Sequence, residues 1–209
     1  MINRVNINNF LSSSRFEGER LIVVYPTDTV YGIGGDPFDI ISVSRLIHIK
    51  KRKVKPFPIL ISRREYAYKL AHVGVVSRHL IDKFWPGKLT IVLESKLSLP
   101  AIQGSEHVGI RLPGSDKVIR LIEVLGGFLI GTSANISGMP PALTCEEAEK
   151  YFGGEVDLYI CADDIITGKP STAVFIDDDK RELSIIREGA ISSKELISVC
   201  EKIGCKVCQ

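Results

Sequence analysis

Apolar residues along this chain gather into short β-branched runs, separated by stretches where they recur every three or four positions. That alternation of strand and helix periods predicts an α/β fold. The run at 21–25 reads as a buried strand, and a polar turn, Pro26-Thr27-Asp28-Thr29-Val30-Tyr31-Gly32 with Gly34 and Gly35 beyond it, follows. Asp39 then caps a helix whose apolar stripe is Ile40, Ile41, Val43, Leu46 and Ile47. Pro56 ends any continuation through the basic run at 50–55. Further strands are expected at 57–62, 89–94, 108–112, 128–132, 158–161, 172–176 and 184–187, with helices at 64–72, 77–84 and 115–125. Capping patterns at Thr144/Glu147 and Ser192/Glu195 open two more helices, the second ending at Gly204. Residues 1–20 read as a leader into the fold, with Ser12-Ser13-Ser14 a turn or helix cap.

No repeat, low-complexity tract or linker divides the chain, so one domain is expected over 1–209. The pattern predicts one α/β domain with a mixed sheet and flanking helices. Its core spans about 15–192, and a C-terminal helix and cysteine-bearing tail occupy 192–209.

Composition narrows the setting. Hydrophobic residues make up 44% and charged residues 25%, enough for a soluble domain with a real core. A net charge of +2 gives no global field for nucleic acid or membrane, so any basic site is local. No apolar stretch is long enough to span a bilayer, and the N-terminus lacks a signal core, so a cytoplasmic protein is expected. Five cysteines, an odd count without a secretion signal, predict reduced thiols. Three of them form C-x4-C-x2-C in the tail, but no fourth ligand is evident and no metal site is expected.

Candidate chemistry lies where strands end, the usual ligand position in open α/β sheets. The turn at 26–32 offers hydroxyls, a carboxylate and glycine, which suits an anion site or an ordinary polar turn. Lys50, Lys51, Arg52, Lys53 and Lys55 exceed what a helix C-terminus requires, and a polyphosphate or RNA backbone would offset their repulsion. The segment GTSANISG at 131–138 combines accessible backbone with Ser133 and Asn135, although close strand packing favours the same small residues. Arg111 closes an apolar strand, and its partner is either an internal carboxylate or the carboxylate of a ligand. Arg187 repeats the arrangement. There is no Walker loop, Pro37 stands where the third glycine of G-x-G-x-x-G belongs, and no nucleophile elbow or HExxH occurs. The residues therefore point to anionic substrates without covalent or metal-ligated catalysis.

Taken in order over about 20–190, PTDTVYGIGG, the Lys-x-Arg of 50–52, FWPGKLTIVL, VGIRLPG, GTSANISG, Pro170-Ser171-Thr172 and IIREGAI closely resemble the YrdC-like family. The resemblance implies a twisted, largely parallel open sheet around a concave, positive cavity, and a threonylcarbamoyl-AMP synthase. Such enzymes use L-threonine, bicarbonate and ATP, with Mg2+ accompanying the ATP, and serve a tRNA-modifying threonylcarbamoyl transferase complex. It also implies that Thr29, Tyr31, Arg111, Ser133 and Ser171 hold threonine, and that Arg52, Lys55, His107, Asn135, Leu143 and Arg187 hold ATP. Lys50 and Arg52 would be the catalytic pair. Lys53 departs from a family proline, Leu60 from a frequent histidine, and 209 residues leave no room for the family's additional C-terminal domain. The rival reading is a paralogue that binds RNA or nucleotide without synthase activity.

Overall fold

Strands form where apolar runs can be covered on both faces, and helices where the apolar stripe has a sheet to cover. The computed structural model describes residues 3–13 and 20–208. Its first half contains β1 (Arg4–Asn6), α1 (Ile7–Leu11), β2 (Val23–Tyr25), β3 (Gly32–Gly34), α2 (Ile40–Ile49), β4 (Ile59–Ile61), α3 (Glu65–Leu70) and α4 (Val75–Phe84). Then come β5 (Leu89–Glu94), β6 (His107–Arg111), α5 (Asp116–Val124), β7 (Phe128–Ile130) and β8 (Thr132–Ser133). The last part holds α6 (Cys145–Phe152), β9 (Leu158–Cys161), β10 (Thr172–Asp177), β11 (Glu182–Arg187), α7 (Ser193–Lys202) and β12 (Lys206–Cys208).

The fold is mixed α/β, as expected, but hydrogen bonding divides the strands into two sheets. One runs β1-β9-β2-β3-β8 and the other β12-β11-β10-β5-β6-β4-β7. Parallel and antiparallel pairings are equal in number among the described residues. The chain crosses between sheets at Gly131, which separates β7 from β8. The seam is close: Ile130 N–H donates to the Gly35 carbonyl at 2.9 Å. A Cβ on Gly34 would lie 1.9 Å from the Ile130 oxygen, so only glycine fits there. Gly32 and Gly34 are thus in strand β3, antiparallel to β2, rather than part of the turn.

Residues 3–13 are part of the fold rather than a leader. β1 pairs in parallel with β9, and Ile7 and Phe10 of α1 are buried with Val118, Leu121 and Ile122 of α5. Ser12 is the C-cap of α1, and Ser14 lies outside the described residues. α4 begins two residues before the expected position because a distant carboxylate caps it. Asp178, in the β10–β11 turn, accepts from the N–H groups of Gly74, Val76 and Ser77 and from the Ser77 hydroxyl. The expectation of reduced thiols also fails at one pair. Cys145 at the start of α6 and Cys161 at the end of β9 form a disulfide with a Cα–Cα distance of 5.5 Å, while Cys200, Cys205 and Cys208 are free. Adjacency of those two element ends is a tertiary fact that cysteine spacing does not carry.

Candidate active site

The two sheets enclose a cavity of about 350 Å³. One wall is the β2–β3 turn with β8, and the other is the face of β4, β5, β6, β10 and β11. The turn is built by its own hydroxyls. Thr27 Oγ1 accepts from the N–H groups of Thr29 and Val30, donates to the Val30 carbonyl at 2.7 Å, and lies 2.8 Å from Thr29 Oγ1. Ala134 N–H donates to the Tyr31 carbonyl, and Tyr31 N–H to the Ala142 carbonyl, which ties the turn to the segment after β8.

Arg111 stands at the end of β6 with 5% exposure and bridges the walls. Its Nε donates to the Gly87 carbonyl at 2.9 Å, one terminal nitrogen to Thr29 Oγ1 at 3.2 Å, and the other to Asp28 Oδ1 at 2.5 Å. The partner left open by the sequence is therefore an internal carboxylate. Asp28 Oδ2 is buried without a hydrogen-bond partner. Burial lowers the Arg111 proton affinity and the Asp28 charge raises it again. Because three of a guanidinium's five N–H groups are engaged, two remain for a ligand.

Thr29, Tyr31, Arg52, His107, Arg111, Ser133, Ser171 and Arg187 all line the cavity. Arg52 bonds the Pro56 carbonyl at 3.1 Å and lies over the Phe57 ring at 4.7 Å. Its direction is set by the end of α2, where Lys51 adopts φ 48° and Arg52 N–H reaches the Ile47 carbonyl. Arg187 donates to the Ser171 carbonyl and hydroxyl. Burial lowers the proton affinity of both arginines. Ser171 Oγ lies 2.9 Å from Thr90 Oγ1. The Tyr31 ring forms wall, but its hydroxyl is committed to Asp163 Oδ1 and to Ala162 N–H. Burial first, and then Asp163, raise its pKa.

Lys50, Lys55, Asn135 and Leu143 do not line the cavity. Lys55 and Leu143 are exposed. The Asn135 side chain is occupied locally, accepting from Ser133 Oγ at 2.5 Å and donating to the Ile136 and Met139 carbonyls. Lys50 is buried under the same segment, and burial, with repulsion from Arg52, pulls its pKa down to about 7. Sequence reasoning missed Thr90 as a wall residue and Asp28 as the partner of Arg111. Thr90 had a signal, a lone hydroxyl within the apolar run of β5. Asp28 had none that pointed to a residue 83 positions away.

Among the described residues no carboxylate lines the cavity, and three arginines do. Among the same residues no group of three His, Cys, Asp or Glu could hold a metal ion, and no helix is long and apolar enough to cross a membrane.

Residues 18–189 match the Sua5/YciO/YrdC family, which carries the description "Telomere recombination". A Methanocaldococcus jannaschii protein with the provisional name threonylcarbamoyl-AMP synthase is 36% identical over 194 residues, covering 92% of this chain and 90% of its own. The crystal structure of Pyrococcus abyssi Sua5 complexed with L-threonine superposes with a TM-score of 0.87 at 27% identity. That match covers 100% of this chain, which spans 62% of the Sua5 chain. Escherichia coli YciO shares the fold, with a TM-score of 0.79 at 21% identity over 93% of this chain and 98% of its own.

Proposed function

The chain belongs to the Sua5/YciO/YrdC family, and on that premise we propose that it is a threonylcarbamoyl-AMP synthase. It joins L-threonine, bicarbonate and ATP, releases pyrophosphate and water, and supplies the threonylcarbamoyl group for adenosine 37 of tRNA. The observation that carries this reading is Arg111, a buried arginine pinned by three acceptors in a cavity whose other charged lining residues are also arginines. Such a guanidinium suits an amino-acid carboxylate, gripped by a planar fork that is already oriented. The Thr27–Thr29 hydroxyls beside it suit the threonine side chain, and a site built to hydrogen-bond that hydroxyl rejects valine strongly.

In this reading the threonine amine takes up bicarbonate to give the N-carboxylate. One of its oxygens attacks the α-phosphorus, and the bond to pyrophosphate breaks. The step requires alignment and charge neutralisation rather than a protein nucleophile. Arg52 and Arg187 supply positive charge for the phosphates, and Ser171, held by Arg187, and Ser133 supply hydroxyls. The lining residues offer no carboxylate to Mg2+, so a protein-held magnesium does not fit this cavity, and none of the steps runs through one. The expected setting is the cytoplasm, with a tRNA-modifying transferase complex receiving the product.

Pyrophosphate release, followed while threonine, bicarbonate and ATP are omitted in turn, tests the reading. Release that requires all three is expected; threonine-independent release overturns it, and no release overturns it in favour of a nucleotide- or RNA-binding role. Arg52→Ala should lower turnover by about 100-fold or more with the fold intact.

A further inference from the structure

Of the expected site residues that do not line the cavity, Lys50 is the one charged side chain that is buried. It is 2% exposed and absent from the cavity lining. Its Nζ donates to the Ser133 carbonyl at 2.5 Å and to the Asn135 carbonyl at 2.8 Å. Its own backbone carbonyl accepts from Ser137 N–H at 3.0 Å. One residue at the end of α2 therefore holds the 133–137 segment at three points. We infer that Lys50 is a positioning residue, a strap that fixes the turn bearing Ser133 and Asn135, and that it is not a ligand of the phosphates.

The chemistry of the contacts favours a strap. Both acceptors are neutral carbonyls, and no salt bridge to Lys50 occurs among the described residues. A lysine kept for phosphate would hold its ammonium toward solvent or toward the ligand; this one is turned under the chain. The neutral amine keeps two N–H groups, enough for both carbonyls, so the contact survives loss of the proton that burial promotes. Between Asn135 and Met139, Lys50 makes the side-chain and backbone bonds that tie the turn to another element. Ser133 Oγ and the Asn135 amide bond within 133–139; the segment's ends are tied by the β3–β8 pairing at Thr132 and Ser133, by backbone bonds linking Ala134 and Ala142 to Tyr31 and to each other, and by the Tyr151 hydroxyl to the Pro140 carbonyl.

The role in turnover rests on the synthase reading, but the structural half does not, and the test separates them. Lys50→Met keeps the stem and removes the donors; Lys50→Gln retains one amide for one carbonyl and serves if the methionine variant does not fold. Deuterium exchange of the peptide spanning 131–143 is expected to accelerate about tenfold or more, with the exchange of β5 and β6 unchanged, as fits the loss of hydrogen bonds to a charged donor. In the pyrophosphate assay, KM for ATP or threonine should rise about tenfold while kcat falls by less. Unchanged exchange at 131–143 overturns the strap, whatever the activity. So does a kcat loss of about 100-fold with KM unaltered, because that pattern belongs to a group acting only in the transition state. If the wild-type protein releases no pyrophosphate, the exchange measurement still decides on the strap while the synthase reading alone fails.

Discussion

Removing the Asp28 carboxylate is the sharpest perturbation of the site. Arg111 and Asp28 have side-chain exposures of 6% and 10%, so Asp28→Ala leaves a buried guanidinium with only the Gly87 carbonyl and the Thr29 hydroxyl. Breaking a buried pair from one side costs about 3–5 kcal/mol, because the remaining charge is uncompensated. Against a total stability of about 5–15 kcal/mol, that is a large fraction. With a urea slope of roughly 2 kcal/mol/M, the midpoint should fall by about 2 M. The protein reports this itself. Trp85, its single tryptophan, is buried and donates to the Leu89 carbonyl, so its fluorescence follows unfolding two residues from Gly87. The double variant Asp28→Ala/Arg111→Met should recover much of the loss, since no buried charge is left. A single-variant loss below about 1 kcal/mol, or a double variant whose loss is the plain sum, would show that the pair is not what holds Arg111.

Three further outcomes follow from features away from that pair. Asp178→Ala strips the cap of α4 and should cost about 1–3 kcal/mol, with faster amide exchange at Val76 and Ser77 as the check. Cys145→Ser opens a link across 16 residues and should lower stability by about 3 kcal/mol; the same variant should make unfolding insensitive to reductant. Lys50 binds its proton less readily when folded, at about 7 against an ordinary 10.5, so between those values the unfolded chain carries the extra proton and stability rises with pH. Relative to Lys50→Met, the wild type should gain at most about 1.4 kcal/mol per pH unit from pH 7 to 9. Urea melts at three pH values measure this, and a flat difference would mean the ammonium is not desolvated.

The elements legible in the sequence were those specified locally. Asp39 caps α2 through Ser42 N–H, Thr144 caps α6 through Glu147 N–H, and Gly204 ends α7 with φ 64°. Each is a relation between residues a few positions apart. The division into two sheets was not legible, because it depends on Gly34 and Ile130 meeting across nearly a hundred residues. The early start of α4 was hidden for the same reason, its cap being Asp178. In the site, Thr29, Tyr31, Arg52, His107, Arg111, Ser133, Ser171 and Arg187 line the cavity. Lys50, Lys55, Asn135 and Leu143 do not, since a motif records which residues travel together and not which of them faces inward. The bond of Asp28 to Arg111 could be seen only once β6 lay beside the β2–β3 turn.

The cavity walls belong to different sheets joined at a glycine seam, and this makes occupancy a mechanical event. A molecule gripped by Ser133 on one side and by Arg187 on the other is a strut between two plates. Its binding free energy is then added to the cohesion of the whole domain: a ligand at about a thousand times its dissociation constant contributes about 4 kcal/mol. Heat resistance can therefore serve as a census of what the cavity accepts, with no turnover required and no reaction assumed.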